Sequence, residues 1–138
     1  MELSGMIASA AEKASRRRDG EEMGYSEASL VEVEHMLDEA AEYLSEMTPK
    51  QVTNLVQNVG CYILEVGRRA FGGCYQWHDG RDQPVLVVGE PSFRIAVMTW
   101  DKVRGRLGGD EGDNIPFFYS GFAERVRRAV PGDDALYV

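Results

Sequence analysis

The chain is 138 residues long and carries 15 lysines and arginines against 23 aspartates and glutamates, a formal charge of −8. An apolar fraction of 43% is too high for a wholly disordered chain, two cysteines are too few to staple a secreted mini-protein, and no run approaches the ~18 consecutive apolar residues of a membrane span. One soluble domain with one core is expected, and Met1-Glu2-Leu3-Ser4 lacks a signal-peptide layout, so the expected location is cytoplasmic.

Residues 1–24 read as an N-terminal arm, either a weak helix or disordered. Leu3, Met6, Ile7, Ala10 and Ala14 recur at helical spacing but make a thin, alanine-rich stripe; Arg16, Arg17 and Arg18 suit a helix C-terminus, and Gly20 would stop it. Residues 25–138 read as a single α+β domain. Its first helix starts after Ser26, a good N-cap, and runs to the Met47 region, with Leu30, Val33, Leu37, Ala40, Ala41 and Leu44 on one face. Thr48-Pro49-Lys50-Gln51 opens the second helix with a capping box and proline at the first helical position. Its stripe, Val52 to Ala70, is wide enough to predict a central helix covered on more than one side. Gly60 and Gly67 lie two turns apart on it, each costing ~1 kcal/mol of helix propensity against alanine, which predicts the close approach of another backbone.

Gly72-Gly73 ends that helix. Cys74–His78 and Pro84–Val88 read as strands joined by the turn residues Asp79 to Gln83, a β-hairpin, and the unbroken apolar run Val85–Val88 predicts an interior strand. Phe93, Ile95 and Val97 alternate as a third strand. Helices follow over about 99–107 and 115–130, the latter capped by Asp113 or Asn114 and stopped by Pro131-Gly132; Ala135 to Val138 suits a short edge strand. The expected fold is therefore α+β: two N-terminal helices, a small antiparallel sheet made of a hairpin plus a third strand, and two C-terminal helices.

The negative charge is concentrated. Residues 50–138 hold 11 basic and 11 acidic side chains, whereas residues 19–49 hold ten carboxylates and no Lys or Arg. Such a stretch repels the phosphates of nucleic acids and anionic membrane surfaces, so neither is an expected partner. It reads either as the solvated face of an amphipathic helix or as a surface that steers a basic protein partner, with Glu34, Asp38, Glu42 and Glu46 as the residues that would bind it.

No constellation points to catalysis. Cys74 and His78 share one side of a predicted strand but lie ~13 Å apart along it, too far for a nucleophile and its base. His35, Cys61, Cys74 and His78 lack the paired spacing of a zinc site, and the Gly108–Asn114 loop lacks the ligand order of a calcium loop, so no metal and no cofactor is expected. A Cys61–Cys74 disulfide stays open. Glu65 stands three and four residues before Arg68 and Arg69, the spacing of a local ion pair. On the hairpin, Tyr75 and Trp77 point to one side and Gln76 and His78 to the other; Tyr75, Trp77 and His78 are the candidates for a ligand pocket. Phe117 to Phe122 is the candidate for self-association into a homo-oligomer.

Gly60-Cys61-Tyr62-Ile63-Leu64-Glu65-Val66-Gly67-Arg68-Arg69, followed by Gly72-Gly73-Cys74-Tyr75-Gln76-Trp77, resembles the G-x-Y-x-x-E-V-x-R-R…GG-x-x-x-W pattern of a family of small, functionally uncharacterised actinobacterial-type proteins. The resemblance extends over roughly residues 50–125 and includes Lys102 to Leu107 and Phe117-Phe118-Tyr119. It implies an α+β domain of an intracellular bacterial protein and carries no activity or site residues. Three readings of function result. The first is a non-enzymatic protein-interaction module using the acidic helix face; the second is a small-ligand-binding protein or enzyme with a pocket near the 74–78 strand. The third is an immunity-type protein against a basic toxin.

Overall fold

A computed structural model describes residues 2–16, 22–110, 112 and 114–138. The expected arginines at 17 and 18, the stop at Gly20 and the cap at Asp113 lie outside the described residues. The elements run α1 (Leu3–Ser15), α2 (Leu30–Glu42), α3 (Pro49–Phe71), β1 (Cys74–His78), β2 (Gln83–Val88), β3 (Arg94–Val97), α4 (Trp100–Leu107), α5 (Ile115–Arg127) and β4 (Asp134–Tyr137). The α+β class holds, and its layout is corrected: three helices precede the sheet where two were expected, and the sheet has four strands and mixed pairing.

The extra helix is α1. Its stripe looked too thin to stand alone, but Ile7, Ala11 and Ala14 are buried, and α1 packs chiefly against α3. Small side chains let the two helices approach closely, so what weakens α1 in isolation serves it in the fold. The Met23 amide donates to the Ser15 carbonyl at 2.8 Å and holds the following chain against the helix end.

The expected helix from Ser26 to Met47 is broken at both ends. Ser26 does cap, accepting from the Ser29 amide, but the first turn, Glu27–Ser29, is 3-10. Tyr43 leaves helical geometry at φ −108°, and Leu44–Glu46 forms a second 3-10 turn. The capping box of α3 is present in full, with Thr48 accepting from the Gln51 amide and the Gln51 side chain accepting from that of Thr48. Val59 through Gly67 are all buried, which makes α3 the central element of the core.

Gly60 and Gly67 admit side chains rather than a backbone. A Cβ on Gly60 would stand 2.4 Å from Cδ1 of Trp100, whose indole lies on the helix there, and a Cβ on Gly67 would meet Leu86 Cδ2 at 3.0 Å. Thr99 completes the first contact by donating to the Gly60 carbonyl at 2.7 Å.

Strand order is β1-β2-β3-β4. The hairpin pairs Tyr75 with Leu86 and Trp77 with Pro84; β3 adds antiparallel to β2, with Leu86 opposite Val97. The expected edge strand forms, but β4 runs parallel to β3, Ile95 opposite Ala135, because α4 and α5 form the crossover that brings the chain back in the same direction. Leu86, Val88, Ile95 and Val97 join the main core; Val85, Val87, Ala96 and Met98 alternate to the opposite face as a smaller cluster. Every residue of β2 is buried, as its apolar run predicted. No helix among the described residues is long and apolar enough to cross a membrane.

Candidate functional site

Two places hold the residues expected to form a site: the acidic side of α2, and the ground beneath the first hairpin.

Of the four carboxylates expected to meet a partner, three lie on α2 and Glu46 in the 3-10 turn after it, and they divide into two kinds. Glu34 is half-buried and turned inward. One oxygen accepts from Arg106 Nε and the other from the Ile115 amide at 3.0 Å, at the first turn of α5. Asp38 accepts from Arg106 Nη2 while staying 63% exposed. The Arg106 guanidinium, with 8% side-chain exposure, is thus shared between two acids, and their hydrogen bonds outweigh its burial and push its pKa up. Glu42 and Glu46 remain exposed, as does Glu39 three residues before Glu42. A broad open hollow of about 700 Å³ lies alongside, lined by His35, Asp38, Glu39, Glu42, Arg106 and Gly109.

Beneath the hairpin, α3 presents Glu65, which is 2% exposed. The Tyr75 hydroxyl donates to its Oε2 at 2.6 Å, and Arg68 forks onto both oxygens, Nη2 reaching Oε1 at 3.1 Å. Burial pushes the Glu65 carboxyl up, but the bonds from Arg68 and Tyr75 and the nearby Arg69 charge outweigh it and hold the group below the usual carboxylate range. Burial and the Glu65 charge together push the Tyr75 phenol far up. This is a buried carboxylate held ionised by three donated hydrogen bonds.

One turn earlier on α3, Cys61 is buried, and its burial raises the thiol to about 11, partly offset by the Trp100 indole N–H and reinforced by Glu65. Trp100 Nε1 is buried without a nitrogen or oxygen acceptor, and the Cys61 sulfur is a poor one. Trp100 meets Trp77 edge to face, with centroids 5.9 Å apart and planes at 82°. Together they wall a half-enclosed cavity of about 250 Å³, closed on the other sides by α1 through Met6 and Ile7 and by Gln57 and Asp82.

The ligand candidates are therefore not one cluster. Tyr75 is spent on Glu65 and Trp77 faces the cavity. His78 alternates to the other side of the sheet, where its Nδ1 accepts from the Arg81 amide at 3.1 Å within the hairpin turn. Cys74 is exposed and Cys61 buried, and both are free thiols. Of the aromatic run in α5, Phe117 is 79% exposed, whereas Tyr119 and Phe122 are buried and Phe118 lies under the Lys102 ammonium at 4.9 Å. Among the described residues, no three His, Cys, Asp or Glu side chains gather as a metal site. Sequence reasoning missed Arg106, Trp100, Gln57 and Asp82. The signal available for Trp100 was its own bulk beside an otherwise unexplained Gly60.

Compared with known proteins, the chain matches no family model, no curated protein and no solved structure.

Proposed function

We propose that the chain is a non-enzymatic protein-interaction module of the bacterial cytoplasm that offers the exposed carboxylates of α2 to a basic protein partner. The observation that carries this reading is the set of exposed acids, Glu39 and Glu42 on α2 and Glu46 in the 3-10 turn after it, in a stretch without a single Lys or Arg, with Asp38, Glu39 and Glu42 bordering an open hollow. Arg106 already neutralises Glu34, so the docking residues narrow from the expected four to Asp38, Glu42 and Glu46, joined by Glu39. Exposed acids at a rim act mainly on encounter rate and salt dependence, so such a partner associates quickly at low salt and weakly at high salt. An immunity-type protein against a basic toxin is one version of this module.

The test is capture of partners from the native host by wild-type protein and by a Glu39→Gln, Glu42→Gln, Glu46→Gln triple variant, at low and high salt. A basic protein retained by the wild type and lost from the variant supports the reading. Equal recovery by both overturns it.

A second reading, a small-ligand-binding protein with its pocket at the 74–78 strand, is favoured by the cavity between Trp77 and Trp100.

A further inference from the structure

The cavity under the hairpin has a composition that narrows what it would hold. Its walls are two indoles at nearly a right angle and the apolar side chains Met6 and Ile7. Its polar lining residues are Gln57, Asp82 and the buried Cys61, and neither the Gln57 nor the Asp82 side chain carries a hydrogen bond or ion pair from a described residue. The nearest cation in sequence, Arg81, is engaged by Asp101 at 3.2 Å and so does not neutralise Asp82. Indole faces attract cations through the ring quadrupole, and tryptophan does so best of the aromatic residues. A corner of two indoles with an unpaired carboxylate at its rim is negative electrostatically and apolar sterically. Few ligand classes satisfy both conditions. An anion is repelled by Asp82, and a fully hydrated inorganic cation gains nothing from apolar walls. The space of about 250 Å³ fits a compact molecule rather than a peptide segment.

We propose that this cavity binds a small organic cation, a methylated or primary alkylamine, with its charged head against Trp77 and Trp100 on the side of Asp82. The proposal rests on the second reading, that the cavity is a ligand site, and adds the charge and chemical class of the ligand. It is independent of the acidic side of α2.

The chain has two tryptophans, and both wall this cavity, so their fluorescence reports on it directly. The experiment titrates the protein with choline and, in parallel, with 3,3-dimethylbutanol, its neutral isostere. Choline is expected to give a saturable change in emission, with the isostere weaker by at least about tenfold. Asp82→Asn, which keeps a residue tolerant of the left-handed φ of 53° found there, and Trp77→Ala, at a position already 42% exposed, are each expected to weaken choline by a similar factor while leaving the thermal midpoint little changed. Equal binding of isostere and choline overturns the cation assignment and leaves a neutral ligand site standing. Absence of a saturable change with both probes overturns the ligand site and the cation together.

Discussion

Arg106 and Glu34 are 72 residues apart in the chain and bonded side chain to side chain, while the second oxygen of the same carboxylate receives the first amide of α5. One carboxylate on α2 thus ties α4 and α5 to it. Arg106 is 8% exposed at its side chain and Glu34 13%. Removing one member of a buried pair leaves the other unpaired, so Arg106→Met is expected to lower stability by ~3 kcal/mol. Asp38→Asn, at a carboxylate open to solvent, should cost under ~1 kcal/mol. Urea midpoints at neutral pH measure both, and equal effects would show that the guanidinium is held mainly by its exposed acid.

The two glycines of α3 should respond differently to the same substitution. Gly60→Ala places a Cβ 2.4 Å from an indole carbon that the fold holds against the helix, so Trp100 has to move. Overpacking of this kind costs ~1–3 kcal/mol and exceeds the ~1 kcal/mol gained in helix propensity. At Gly67 the nearest atom is the end of the Leu86 side chain at 3.0 Å, followed by Phe122 at 3.4 Å. A leucine methyl can give by a few tenths of an ångström, so Gly67→Ala should fall within ~1 kcal/mol of wild type. Thermal melts of the two variants decide the order, and a more destabilising change at Gly67 would contradict it.

These glycines also mark how far the sequence could be read. Local rules were enough for α3, whose cap, proline and apolar period are contiguous, and for the hairpin, whose turn residues lie between its strands. They marked Gly60 as a point of close approach but pointed to another backbone, because the Trp100 side chain that approaches comes from forty residues further on. The parallel β3–β4 pairing joins residues 94–97 to 134–137 and leaves no local signature. α1 was underestimated because its partner surface is on α3, and a helix of alanines shows its worth only against that surface. The acidic stretch was visible as charge alone. That Glu34 would turn inward depended on Arg106, which in sequence looks like any surface arginine of a short amphipathic helix.

Glu65 should give stability a definite dependence on acid. Its folded pKa is depressed, so the stabilisation is present above the ordinary carboxylate value of ~4.3 and is lost as pH falls through the folded value. Wild type should therefore lose its advantage over Glu65→Gln as the pH is lowered below ~4. Tyr75→Phe removes the 2.6 Å bond to a charged acceptor and is expected to cost ~1.5–3 kcal/mol at neutral pH. It should also move the acid transition upward, because Glu65 then keeps only its arginine partners. Denaturant midpoints from pH 3 to 7 check both, and a constant gap between wild type and Glu65→Gln across that range would refute the assignment.

The two thiols should behave as opposites. Cys74 opens β1 at the sheet edge and is exposed; Cys61 is 3% exposed between α3 and the Trp100 indole, with its pKa raised to about 11. The reactive species is the thiolate, so near pH 8 Cys61 is disfavoured both by access and by charge state. Native protein is expected to take up one equivalent of iodoacetamide, located at Cys74 by mass spectrometry, and urea-unfolded protein two. Cys74→Ser should then leave the folded chain unlabelled over the time in which wild type reacts fully. Gly60→Ala offers the complementary measurement: displacing Trp100 uncovers the neighbouring thiol, so labelling at Cys61 should accelerate in that variant while Cys74 is unchanged. If Cys61 in wild type reacts as fast as Cys74, then α1, α3 and α4 do not pack over it in solution as they do in this fold.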